Sequence, residues 1–153
     1  MELFTDKMQW YKFIKILLGW LGTPHKHLQM EKGKGADCAL FIAACLKEYG
    51  VLKKITFKEI PRFWHFITDK NEVILDHILQ YIQENFNDNF TLKKVDTPMR
   101  GDIITFNLRS KVSNHMGVYF GNGLIINSIN NRGVCIIPIF TNRITNIYRI
   151  YKI

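Results

Sequence analysis

The chain has 153 residues, 47% apolar and 13% aromatic, which is the length of one domain with material for a single core. Three cysteines are too few for a disulfide framework and are expected as reduced thiols, and no window approaches the roughly 20 apolar residues of a membrane span. A net charge of +8 draws the surface toward polyanions without choosing among nucleic acid, lipid headgroups and cell-wall polymers.

The first residues, Met-Glu-Leu-Phe-Thr-Asp-Lys, are not the basic start of a signal peptide, so synthesis in the cytoplasm is expected. Tyr11, Ile14, Leu17, Leu18 and Leu21 recur at helical spacing, with Lys12 and Lys15 off the stripe, and predict an amphipathic helix over residues 6–21. Gly22, Thr23 and Pro24 stop it. Residues 25–35 read as a basic loop. The run CALFIAACLKEY over Cys38–Tyr49 is apolar almost all round for two turns, which predicts a buried helix with Asp37 as N-cap and Gly50 as left-handed C-cap. Further helical pattern covers residues 57–67 and 72–86.

After Pro98 the runs DIITF, HMGVYF, LIINSI, VCIIPI and ITNIYRIYKI alternate with turn residues and suit an antiparallel meander of about five strands. Helices first and strands afterwards make an α+β domain whose two layers share one core. A three-residue loop, Gly121 to Gly123, would pair Phe120 with Leu124 and set Gly117 opposite Asn127. His115 then shares a sheet face with Asn127, with no side chain between them.

Cys38 opens a helix, where the dipole and unpaired N–H groups favour a thiolate and can hold an oxyanion. The plainer reading makes Cys38 a small buried hydrophobe. His115 and Asn127 shift the balance. Polar residues at both places on an apolar hairpin need an explanation, and a thiol nucleophile, an imidazole base and a carboxamide that orients the ring supply one. Cys45, on the Cys38 face of the helix, and Cys135 are expected to pack in the core, and His65 and His77, on helical segments, to be solvent or edge residues.

The blocks GADCALFI at residues 35–42, RGDIITF at 100–106 and HMGVYFGNGLIIN at 115–127 resemble the three signature blocks of the NlpC/P60 cysteine peptidases. GTPHKH at 22–27 is similar to the segment before the cysteine in the phage-associated branch of that family. The resemblance spans most of the chain and implies a papain-like α+β fold, made here of one domain over residues 1–153, and cleavage of bacterial cell-wall stem peptides, often next to D-glutamate. It puts Cys38 on the family nucleophile, His115 on its base and Asn127 on the third, orienting residue. Asp37 matches an acid that in some members helps receive a substrate amine. Ala39 and Leu40 stand where the family commonly has Ser and Gly, and His25 where it has Tyr, which bears on substrate preference at Ala39 and His25. Action at the cell wall or periplasm follows, with delivery in a phage or secretion particle as one route. The competing reading is a degenerate member that binds the wall or serves in a phage tail or secretion assembly.

His25, His27 and Cys38 would offer three metal ligands only if alternate loop residues converged, and no second Cys/His cluster at zinc spacing exists. No metal or other cofactor is called for. The scattered lysines read as a solvated basic face, and no helix-turn-helix, zinc finger or RNP-like segment supports nucleic acid as a partner.

Overall fold

A computed structural model describes residues 1–53, 75–109 and 111–153. A 3-10 turn, Leu3–Thr5, precedes helix α1, Lys7–Leu18, whose N-cap Asp6 accepts from the Gln9 N–H at 3.0 Å. The buried stripe of α1 is Trp10, Phe13 and Leu17; of the expected one, Leu17 is buried and Ile14 packs against the core, while Tyr11, Leu18 and Leu21 are exposed. The cause is long-range. Phe4 stacks on Phe13 with centroids 4.4 Å apart, and Tyr49 meets both rings edge-on, so aromatic contacts select which of two apolar stripes turns inward.

The loop expected at residues 25–35 contains a small hairpin, β1 (Met30–Glu31) and β2 (Gly35–Ala36). Helix α2 runs over Cys38–Tyr49 as the sequence predicts, with Asp37 capping the Leu40 N–H at 2.8 Å and Gly50 left-handed at φ 102°. The expected helix over residues 57–67 lies outside the described residues. Helix α3, Leu75–Glu84, falls within the expected 72–86 segment.

Six antiparallel strands follow: β3 (Phe90–Val95), β4 (Ile103–Phe106), β5 (His115–Gly121), β6 (Leu124–Ile129), β7 (Gly133–Pro138) and β8 (Ile144–Lys152). Their order is β3-β8-β4-β5-β6-β7. The meander holds only from β4 to β7, because β8 crosses back to lie between β4 and β3. The RGD segment is built into this frame. Asp102 takes two hydrogen bonds from Arg149 of β8, Nε at 2.9 Å and Nη2 at 2.8 Å, and one from the Met99 N–H at 2.7 Å.

Helix α2 packs on one face of the sheet, against β5 and β6. The expectation of one shared core needs correcting, since the far face carries a second apolar cluster of Ile104, Phe106, Ile125, Ile137 and Ile147. This matters for the site. His115 pairs directly with Phe106 and so projects from the far face, away from α2.

Candidate active site

The β5–β6 hairpin turns through two residues, Asn122 (φ 53°) and Gly123 (φ 74°), with a bulge between Tyr119 and Gly121. Asn-Gly is the preferred pair for such a turn, a signal available in the sequence. The expected three-residue loop is therefore wrong, yet the register at the site is the expected one, because the bulge restores it: Tyr119 pairs with Ile125 and Val118 with Ile126. Continued one step, it sets Gly117 opposite Asn127. A Cβ on Gly117 would lie 3.3 Å from Asn127 Cβ.

His115 is 6% exposed and Asn127 fully buried. Aromatic rings wall the imidazole, Phe106 at 6.1 Å and Phe140 at 6.0 Å between centroids. Its Nε2 and both polar atoms of the Asn127 carboxamide are buried without hydrogen-bond partners among the described residues. Nδ1 is not among the atoms sealed from solvent. Burial, and next the charge of His25, push the His115 pKa down to about 4.

Cys38 is 5% exposed at the first residue of α2. The backbone N–H groups of Met116, Ala39 and Cys38 itself favour its thiolate, as expected of a helix start, but burial and then the charge of Asp37 outweigh them and push its pKa up to about 12. The expectation of a thiolate favoured by position is overturned at rest: thiol and imidazole are both neutral near pH 7.

Where β5 begins and β6 ends, a cavity of about 300 Å³ is lined by Cys38 and His115 together with His25, Asp37 and Ser128. The strand ends are where a residue of the far face and a residue at the start of α2 can reach one space. No hydrogen bond joins Cys38 to His115 among the described residues. Asp37 has both oxygens engaged, one on Leu40 N–H and one on Leu28 N–H at 2.9 Å, so it ties the 25–29 loop to the helix start. Burial raises its pKa, while those two bonds and the charges of His27 and His25 lower it. Ala39 is wholly buried and offers the site its backbone amide.

Ser128, which the sequence did not single out, sits on the α2 side of β6. Its Oγ lies 3.0 Å from His25 Nδ1 and donates to the Ala36 carbonyl at 2.6 Å. Cys45 is fully buried, whereas Cys135 is only half-buried against the second cluster. His77 lies on α3, and His65 outside the described residues. Among the described residues no three of His, Cys, Asp and Glu gather as a metal site, and no helix is long and apolar enough to cross a membrane. A larger cavity, about 390 Å³, is lined by α3, β3 and β8 and holds none of these residues.

The model of the NlpC/P60 family matches residues 22–151. The chain belongs to the NlpC/P60 family. Solved NlpC/P60 structures share its fold. A family protein from Bacillus cereus ATCC 10987 is 21% identical over 90% of this chain and 39% of its own, with a TM-score of 0.58. The NlpC/p60 domain of the peptidoglycan hydrolase SagA is 14% identical over 90% of this chain and 96% of its own, at 0.55. NlpC1 from Trichomonas vaginalis is 14% identical over 90% and 42%, at 0.62. This NlpC/P60 chain thus spans about two fifths of the Bacillus and Trichomonas proteins. No curated protein matches it.

Proposed function

We propose that this chain is a cysteine peptidase of bacterial cell-wall stem peptides, with Cys38 as nucleophile, His115 as base and Asn127 as the residue that orients the base. The observation that carries the reading is the shared cavity, lined both by the thiol at the start of α2 and by His115, whose Nδ1 is not among the atoms sealed from solvent.

The reaction starts from a neutral pair. His115 Nδ1 takes the thiol proton as Sγ bonds to the amide carbonyl carbon, and the carbonyl electron pair moves onto an oxygen held by N–H groups around the helix start. The amide C–N bond then breaks, His115 returns the proton to the leaving nitrogen, and water releases the acyl group by the same steps in reverse. Asn127 Oδ1 accepting from Nε2–H would keep Nδ1 bare and satisfy two of the buried orphan atoms at once. Cutting beside D-glutamate is the bond choice that the family resemblance suggests. Asp37 contributes by shaping the wall around the nucleophile.

Mass-spectrometric analysis of purified peptidoglycan fragments, comparing native protein with Cys38→Ala, tests this. New stem-peptide termini with the native protein alone are expected, and equal products from both would refute the nucleophile. A second reading, a wall-binding member without catalysis, is favoured by one observation, the burial of Cys38, which opposes the thiolate and pushes its pKa up. Rapid labelling of Cys38 by a thiol probe at neutral pH counts against it, and inertness counts for it.

A further inference from the structure

His25 joins the site through a parallel bridge to Ala36, two residues before the nucleophile. A serine hydroxyl carries one proton, and that of Ser128 is committed to the Ala36 carbonyl at 2.6 Å. Toward His25 Nδ1, at 3.0 Å, Ser128 Oγ can therefore only accept. Nδ1 carries the hydrogen, and in the neutral form of the ring that hydrogen is the only one, which leaves Nε2 a bare lone pair in that form. Nε2 has no hydrogen bond among the described residues and is not among the atoms sealed from solvent. His25 itself lines the cavity with Cys38 and His115.

We propose that His25 is a specificity-determining acceptor: Ser128 locks it as the Nδ1–H tautomer so that Nε2 receives a hydrogen bond from an N–H group of the peptide in the cavity. This rests on the stem-peptide reading above. Each oxygen of Asp37 already accepts one backbone N–H, from Leu40 and from Leu28, whereas His25 Nε2 accepts none among the described residues. A substrate lacking the matching N–H strands that lone pair against an apolar group, and the site discriminates by that loss.

Two measurements on the full chain test the idea. In an imidazole ¹⁵N spectrum near pH 7.5, His25 is expected as the Nδ1–H form, with Ser128→Ala shifting it toward a mixture; a native Nε2–H form would overturn the proposal. Binding is then read in the Cys38→Ala background with the peptide L-Ala-γ-D-Glu-L-Lys, its two singly N-methylated amides and its des-amino analogue, so that an amide N–H and an ammonium donor are told apart. One of these changes is expected to weaken binding roughly 3- to 10-fold, and to have no such effect once His25→Phe is added. Equal penalties with and without His25, or no binding of the parent peptide, would overturn it. If His25→Phe fails to fold, Ser128→Ala must reduce the same penalty. Because binding is measured without the nucleophile, a native protein that never hydrolyses refutes the peptidase reading and leaves this difference standing, whereas equal penalties beside normal hydrolysis refute this inference alone.

Discussion

His115 and Asn127 stand diagonally on one face of the β5–β6 hairpin with only Gly117 between them, and each ends in a polar atom that is buried without a partner. Leaving such atoms unpaired costs about 1–3 kcal/mol each. The proposed catalytic role of the pair would account for that cost. Replacing Asn127 by Leu, which has nearly its shape, is expected to lower kcat/KM roughly 10- to 100-fold by releasing the ring. The same change should alter thermal stability little, because it removes the two buried carboxamide atoms but leaves His115 Nε2 buried without a partner. A variant that loses both activity and stability would show that the carboxamide is a structural partner instead.

Gly117 tests the same relation sterically. A Cβ there would meet Ile126 O at 3.2 Å as well as Asn127 Cβ. Gly117→Ala requires a shift of a few tenths of an ångström, and Gly117→Val, with two further methyls, forces His115 and Asn127 apart. The valine variant should lose at least about 10-fold more activity than the alanine variant while both keep a native circular dichroism spectrum.

How much of this could be read from the chain alone depended on whether the cause was local. Helix α2 was legible to its last residue because Asp37 and Gly50 carry their capping chemistry in their own side chains and backbone. The site register was legible too, because strand alternation and a glycine turn act over a dozen residues. Strand β3 was not: FTLKKV buries only Leu92 and is a strand because β8 pairs with it, its lysines suiting a sheet edge. The phase of α1 was lost for a similar reason, since Phe4 and Tyr49 decide it from outside the helix. The tautomer of His25 depends on a serine 103 residues away.

Histidine 115 should give the protein an acid sensitivity of definite sign. Its pKa lies near 6.5 unfolded and is pushed down to about 4 by burial when folded. Between those values the unfolded chain takes a proton that the folded one refuses. Stability is thus fully present above about pH 6.5 and is lost as pH falls toward 4, by up to roughly 3 kcal/mol. Urea unfolding at pH 7 and pH 4.5 should show this loss, and His115→Phe should abolish most of it. Activity, which needs the unprotonated ring, should keep its acid limb near pH 4; a limb near 6.5 would mean that the imidazole is hydrated.

Asp37 sets stability against thiol reactivity, and Asp37→Asn should move the two in opposite directions. The carboxylate accepts from Leu40 at 2.8 Å and Leu28 at 2.9 Å, and a carboxamide can keep only one of those bonds, since its NH₂ faces the other N–H donor. The helix start and the 25–29 loop should loosen by about 1–3 kcal/mol. Yet the negative charge of Asp37 is, after burial, the next cause of the high Cys38 pKa. Removing it makes the thiolate easier to form. The rate of alkylation of Cys38 at pH 8 should therefore rise while the melting temperature falls. If the rate falls as well, the carboxylate is organising the N–H groups around sulfur, and its positional effect outweighs its charge.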